Sequence, residues 1–222
     1  MALDLFVSTP LYDGKLHYAT VAGWLQTLAR MGSDKVGFAA RPGSFLPRLR
    51  DLLTADFLNS GARYWLAVDA DIGFSYDDVA KLVDAANVLV ADREFVCGAY
   101  ARKQVDGRPV CAYNGAEQGI LKGADFVGAG FLLLPRAGIL RMVEQYKDLA
   151  YPGDAIDPKN GVAVGLWSPF CAVRDANGAP RYLGEDYSFS ERWRQMGGKI
   201  WVHPGVKLRH YGESVYTLLE GA

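Results

Sequence analysis

The stretch Tyr64-Trp65-Leu66-Ala67-Val68-Asp69-Ala70-Asp71-Ile72 decides how the rest of this chain is read. Its first five residues are apolar without alternation, the pattern of a strand buried on both faces. Such strands lie inside sheets covered by helices, and those sheets bind ligands beyond the carboxyl ends of their strands. Asp69 and Asp71 stand at that end. In extended backbone, residues i and i+2 point to one side, so both carboxylates can address a single cation. Oxygen ligands of this kind suit Mg²⁺ or Mn²⁺, which commonly bridge to phosphates. An Asp-x-Asp triplet is also ordinary turn and helix-capping sequence.

Outward from this strand, strand-like and helix-like patterns alternate. Residues 3–8 read as a buried first strand, followed by a helical stripe of Val21, Trp24, Leu25 and Leu28. Residues 35–40 read as a second strand and Leu49, Leu52, Leu53 and Phe57 as a second helix. After the central strand, Ser75 and Asp78 form a capping box that opens a helix bearing Val79, Leu82, Val83 and Ala86. Residues 95–98 supply a fourth strand. This β-α-β-α-β-α-β order predicts an α/β fold with a mixed, mainly parallel sheet flanked by helices.

The later half is less regular. Residues 125–134 read as one strand interrupted by Gly128 and Gly130, followed by a helix with Ile139, Met142, Val143 and Tyr146 on one face. Asn177-Gly178 predicts a hairpin turn inside a loop-rich stretch, residues 151–180. A helix over 185–196 stops at Gly197-Gly198, and residues 199–202 and 206–210 predict short closing strands. The small C-terminal part is therefore expected to be antiparallel and loop-rich.

Composition limits the alternatives. The 222 residues are 50% apolar and 22% charged, enough for a sizeable core and unlike a disordered chain. Residues 1–9 show no basic stretch leading into an apolar run, so a secretory signal is not expected, and no apolar run is long enough to span a membrane. With 24 Lys plus Arg against 25 Asp plus Glu, the net charge of −1 argues against a general coating of nucleic acid. Cys97, Cys111 and Cys171 are far apart and odd in number, which suits a reducing, cytoplasmic setting. One domain, 1–222, is expected.

Two further groups invite chemistry. His210 closes the last predicted strand after Val206 and Leu208, where a half-buried structural histidine is the plain alternative. His17 reads as a helix start and His203 as a loop residue, and no zinc-hydrolase spacing is present. Glu185 and Asp186 begin a helix, where they either complement its N-terminus or serve as base or sugar anchor.

Together these elements resemble a GT-A (Rossmann-like) glycosyltransferase. The resemblance is carried by Ser8-Thr9-Pro10, Arg50-Asp51, AVDADI at 67–72, FVGAGFLLLPR at 126–136 and YLGEDYSFSERWRQMGGKIWVHPGVKLRHYG at 182–212. It is similar to compact glycosyltransferases of bacteria and phages and, more distantly, to Anp1-type mannosyltransferases. The resemblance implies a nucleotide-binding half, 1–100, and a donor-sugar and acceptor half, 101–222. It implies Mn²⁺ (or Mg²⁺) held by Asp69, Asp71 and His210, with Asp69 and Ala70 also touching a UDP- or GDP-sugar. Thr9 and Pro10 would line the base pocket, Arg50 would face the nucleotide, and Gly128, Ala129 and Gly130 would let backbone approach the donor sugar. Lys103 would touch phosphate or acceptor, a solvated lysine being the alternative. Asp186 or Glu185 would act as base in an inverting enzyme or hold sugar hydroxyls in a retaining one, and the late histidine leans toward retention. The family pattern Arg-Asn reads Arg50-Asp51 here.

The acceptor stays open: a glycan, a protein, a small molecule or a hypermodified phage DNA base. For DNA, Arg41, Arg48, Arg50, Arg63, Arg102, Lys103 and Arg108 would have to form one basic rim, against ordinary solvation of each. Two other functions remain in view, a nucleotidyltransferase and a catalytically silent nucleotide-sugar-binding domain. The first would carry a Gly-rich basic loop after strand one, where TPLYDGKLHY has one Gly and one Lys.

Overall fold

A computed structural model describes residues 3–104, 106–152, 162–174 and 179–218. The first part runs β1 (Leu5–Leu11), α1 (Tyr18–Met31), β2 (Val36–Pro42), α2 (Leu46–Ser60), β3 (Tyr64–Val68), β4 (Ile72–Gly73), α3 (Tyr76–Ala86) and β5 (Glu94–Cys97). It continues with β6 (Cys111–Gln118), β7 (Leu121–Val127), β8 (Phe131–Pro135) and α4 (Arg136–Gln145). The last part holds β9 (Ala150–Pro152), β10 (Val162–Val164), β11 (Phe170–Arg174), β12 (Pro180–Leu183), α5 (Glu185–Gln195), β13 (Lys199–Val202), β14 (Arg209–Tyr211) and β15 (Val215–Tyr216).

Eight strands form the central sheet in the order β2-β1-β3-β8-β5-β13-β7-β6. Only β8 and β7 run against the others, so the sheet is mixed and mostly parallel. Strand alternation divides the core in two. Leu5, Val7, Tyr64, Leu66 and Val68 face α3 and the inner side of α1. Phe6, Trp65 and Ala67 face the other way, against Leu53 and Phe57 of α2, Ile139 and Met142 of α4, and Phe189 and Trp193 of α5. The apolar run Tyr64–Val68 is thus fully buried because helices cover both its sides. No helix among the described residues is long and apolar enough to cross a membrane.

Several boundaries differ from the pattern reading. The interrupted strand over 125–134 is two strands, with β8 passing antiparallel between β3 and β5. β6 is mostly exposed and polar, so its sequence carries no alternation to find. On α1, Leu25 is 60% exposed and the packed face runs through Thr20, Gly23 and Thr27. Gly23 decides this, because a Cβ there would lie 2.6 Å from the Phe74 ring. The predicted strand 206–210 shortens to β14, with Val206 and Leu208 buried as anchors before it. β11 and β12 pair antiparallel as expected, while Asn177-Gly178 lies outside the described residues. The Ser75–Asp78 capping box is present, side chain and backbone reciprocally bonded.

Close packing of α4 on α5 gives the first testable consequence. A Cβ at Gly138 would stand 2.2 Å from the Trp193 ring, and Trp193 is held by its indole N–H donating to the Lys199 carbonyl at 3.1 Å. Gly138→Ala should therefore destabilise by about 1–3 kcal/mol through overpacking, despite the gain of roughly 1 kcal/mol in helix propensity. Denaturant titration checks it; an unchanged or higher midpoint would refute the packing argument.

Candidate functional site

The site forms where β3 ends. Residues 69–72 are a turn rather than extended chain, closed by Ile72 N–H donating to Asp69 O at 3.2 Å. The turn is pinned from several sides. Asp69 N–H donates to Gly130 O, His17 N–H and the Thr20 hydroxyl donate to Ala70 O, and Tyr211 N–H donates to Asp71 O. The same-side argument for Asp69 and Asp71 therefore fails. The turn sends the two carboxylates to different partners.

Asp69 goes to Arg50. The Arg50 Nη2 donates to Asp69 Oδ1 at 2.7 Å, and its Nε lies 3.7 Å from Glu185 Oε1. The guanidinium is buried at 2% exposure, and its Cζ sits 5.3 Å from the Trp167 ring centroid. Burial opposes its charge, but Asp69 and Glu185 outweigh that and raise its pKa. Its Nε has no hydrogen-bond partner among the described residues, nor has the fully buried Thr9 Oγ1 at the end of β1. Buried polar atoms left unpaired are rare, and here two lie at the strand ends where a ligand is expected. Pro10, next to Thr9, is buried as well.

Asp71 goes to His210 and Lys103. Its Oδ1 lies 3.6 Å from His210 Nε2, and its Oδ2 accepts from the Lys103 ammonium at 2.5 Å. His210 Nδ1 is 2.8 Å from the Ala101 carbonyl. A carbonyl only accepts, so Nδ1 carries a proton, and Nε2 is the ring nitrogen turned to the carboxylate. Burial works against the charge of Asp71, yet His210 and Lys103 hold its pKa below the usual carboxylate range.

Glu185 and Asp186 occupy the first turn of α5. Asp186 Oδ1 accepts the Tyr187 N–H at 2.7 Å. Burial first, then repulsion from Glu185, pushes the Asp186 carboxyl up to about 6, against the pull of Tyr187 N–H and Arg50. A carboxyl poised there exchanges protons near neutral pH.

The residues present fit a divalent cation at Asp71 and His210. Nε2 and the carboxylate, 3.6 Å apart, form an ion pair when Nε2 carries a proton, and with that proton gone the same two donors suit Mn²⁺. The Nδ1–H to carbonyl bond is the outer contact that fixes a ligating histidine. Asp69 does not join them. No group of three His, Cys, Asp or Glu side chains is gathered for a metal among the described residues. Cations of this class routinely complete their shell with water and phosphate oxygens around one or two protein ligands.

Three parts of the site were not foreseen. Tyr100 is the first: a Cβ at Gly128 or Gly130 would lie 2.3 or 2.6 Å from it, and its hydroxyl accepts the Gly130 N–H at 3.1 Å. The glycines expected to admit a donor sugar thus make room for Tyr100. Trp167, under Arg50, lies in the loop-rich stretch where no pattern marks it. The third is the role of Asp51, quoted above only beside Arg50: its carboxylate accepts the Trp167 backbone N–H and the Tyr151 hydroxyl, each at 3.1 Å.

Burial pushes Asp51 up to about 7, although both those hydrogen bonds oppose it. Its folded value lies above the ordinary 3.8, so folding favours the protonated form. Stability is then fullest below pH about 4, falls as pH rises from about 4 to about 7, and is level above. Asp51→Asn should flatten that fall and stabilise the protein at pH 8, with a ceiling of roughly 3–4 kcal/mol. Denaturant midpoints at pH 5 and pH 8 check this; a variant with the wild-type pH slope would contradict it.

The basic residues do not assemble into one rim. Arg50 is buried, Arg41 is bound twice by Asp56 at 2.6 Å, and Arg102 and Arg108 converge on Asp106. Arg63 stands before β3, at the end of the strand away from the site, beside Pro135 and Arg136.

No protein-family model matches the chain, and no curated protein matches it in sequence. Among solved structures, A197 from STIV aligns over 100% of this chain and 96% of its own, with a TM-score of 0.56 and 13% identity. Mannose-1-phosphate geranyltransferase from Thermus thermophilus aligns over 66% of this chain and 61% of its own, at TM-score 0.42 and 13% identity. A glycosyltransferase involved in glycosylating the major capsid of PBCV-1 aligns over 65% and 66%, at 0.38 and 9%. The likeness is one of fold. It rests on the first of the three, since the other two fall below the score at which overall topology agrees.

Proposed function

We propose that the chain is a metal-dependent glycosyltransferase, moving a sugar from a UDP- or GDP-sugar to an acceptor hydroxyl. The observation that carries this reading is His210, its Nδ1–H spent on the Ala101 carbonyl and its Nε2 turned to Asp71. Asp71 and His210 would hold Mn²⁺ or Mg²⁺, which when bound neutralises charge on the departing diphosphate. Arg50 keeps one N–H and Thr9 one hydroxyl for the nucleotide, and Lys103 brings a second cationic group to the phosphate side. Asp69, bonded to Arg50, orients that guanidinium and stays out of the metal shell.

In the reaction the bond from the anomeric carbon to the phosphate oxygen breaks and a bond to the acceptor oxygen forms. Asp186 takes the acceptor proton. Its carboxyl, raised to about 6, is ionised at neutral pH yet basic enough to accept that proton, which suits the base role. Glu185, facing Arg50, keeps Asp186 from ionising too readily.

The test is incubation with a panel of UDP- and GDP-sugars and Mn²⁺, without acceptor. Slow release of nucleoside diphosphate and free sugar from at least one donor is expected. Tight metal-dependent nucleotide binding with no release from any donor would instead mark a silent binding domain.

A further inference from the structure

Asp51 follows Arg50 on α2, is 2% exposed, and has no part in the chemistry above. Its surroundings are nonetheless built around it. Oδ1 takes the Trp167 backbone N–H and Oδ2 the Tyr151 hydroxyl, while the Trp167 indole N–H donates to Thr54 Oγ1 at 3.1 Å, three residues further along α2. Arg192 Nη1 donates to the carbonyls of Leu166 and Ser168, on either side of Trp167. The indole stacks on Phe189 at 4.0 Å and 12°, meets Trp65 edge-on at 6.2 Å, and lies 5.3 Å from the Arg50 guanidinium. One helix therefore carries both the guanidinium and the two anchors of the ring it packs against.

We infer that Asp51 is a positioning residue, which acts through Trp167 to fix the Arg50 guanidinium between Asp69 and Glu185. Without the carboxylate, the buried Trp167 backbone N–H loses its acceptor, and the indole N–H bond to Thr54 is left as the one of these two ties between Trp167 and α2. Arg50 then loses the aromatic face that supports it, and the Nε–H left for a ligand is no longer aimed. An asparagine keeps an oxygen for Trp167 N–H and an amide group for the Tyr151 oxygen. The part of the inference that concerns a ligand rests on the function proposed above.

Two readouts test it. The first is the ¹⁵N–¹H signal of Arg50 Nε, free of any ligand. A sharp, slowly exchanging signal is expected in the wild type and in Asp51→Asn, and a broadened or exchanged one in Asp51→Ala. The second is the Kd for UDP or GDP with Mn²⁺. It should rise about 10–100-fold in Asp51→Ala, the range seen when a partner orienting a binding group is removed, and stay within about threefold in Asp51→Asn. Trp167→Leu, which leaves Asp51 in place, should behave as Asp51→Ala and serves if the alanine variant does not fold. A folded Asp51→Ala or Trp167→Leu protein with the sharp Nε signal and wild-type affinity would overturn the inference, as would an Asp51→Asn protein as impaired as Asp51→Ala. Failure of the wild type to bind either nucleotide, with the Nε signal responding as described, would sink the proposed function and leave the positioning role standing.

Discussion

Replacing Asp71 by Asn is expected to weaken Mn²⁺ binding by about 100-fold or more and to remove donor turnover, while the fold survives. The carboxylate supplies the negative charge of the pair it makes with His210 Nε2, and a neutral amide cannot stand in for it. The side chain is 34% exposed at the mouth of the site, so its loss opens no core cavity. Its main-chain carbonyl, which holds Tyr211, is untouched by the substitution. His210→Gln should cost about 10-fold or more in the same binding, because the amide lacks an imidazole lone pair held by the Ala101 carbonyl. Calorimetric titration with Mn²⁺ in the presence of UDP or GDP measures both. Asp69→Asn is the informative contrast: it should disturb nucleotide binding through Arg50 and leave metal affinity largely intact. A result in which Asp69 and Asp71 variants lose metal equally would return Asp69 to the metal shell.

Asp186→Asn is expected to lower kcat by about 10²–10⁴-fold, the usual worth of a positioned base, with little change in nucleotide affinity. The accompanying pH profile carries the mechanism. Only the ionised carboxylate accepts a proton, so wild-type kcat should rise with pH through about 6 and level off above. In the variant that acid limb should vanish. Glu185→Gln makes a graded companion: removing its negative charge lets Asp186 ionise more easily and moves the limb to lower pH. A limb that stays near 6 in Asp186→Asn would assign it to another group.

Much of the framework was legible because burial writes itself into apolar pattern. Tyr64–Val68 announced a doubly covered strand, the Ser75–Asp78 box a helix start, and Leu49, Leu52, Leu53 and Phe57 the inner face of α2. Asp71 and His210 stood out by their places at strand ends, and Arg50 through the resemblance. What was hidden depends on contacts between distant segments. Whether Asp69 and Asp71 share a side is set by a turn that Gly130, His17, Thr20 and Tyr211 pin from outside. The purpose of Gly128 and Gly130 is hidden in Tyr100, about thirty residues earlier, and that of Asp51 in Trp167, more than a hundred later. β6 escaped because an exposed edge strand buries neither face.

The central claim, a divalent cation at Asp71 and His210 that serves a nucleotide sugar, is tested most directly by thermal shift. The protein is heated with each UDP- and GDP-sugar, with and without Mn²⁺. A ligand present at about 100 times its Kd stabilises by roughly 2.7 kcal/mol, which is readily seen. At least one nucleotide sugar is expected to raise the Tm only when Mn²⁺ is present, with the effect lost in Asp71→Asn. A donor that stabilises equally without metal, or stabilisation that persists in Asp71→Asn, would contradict the account.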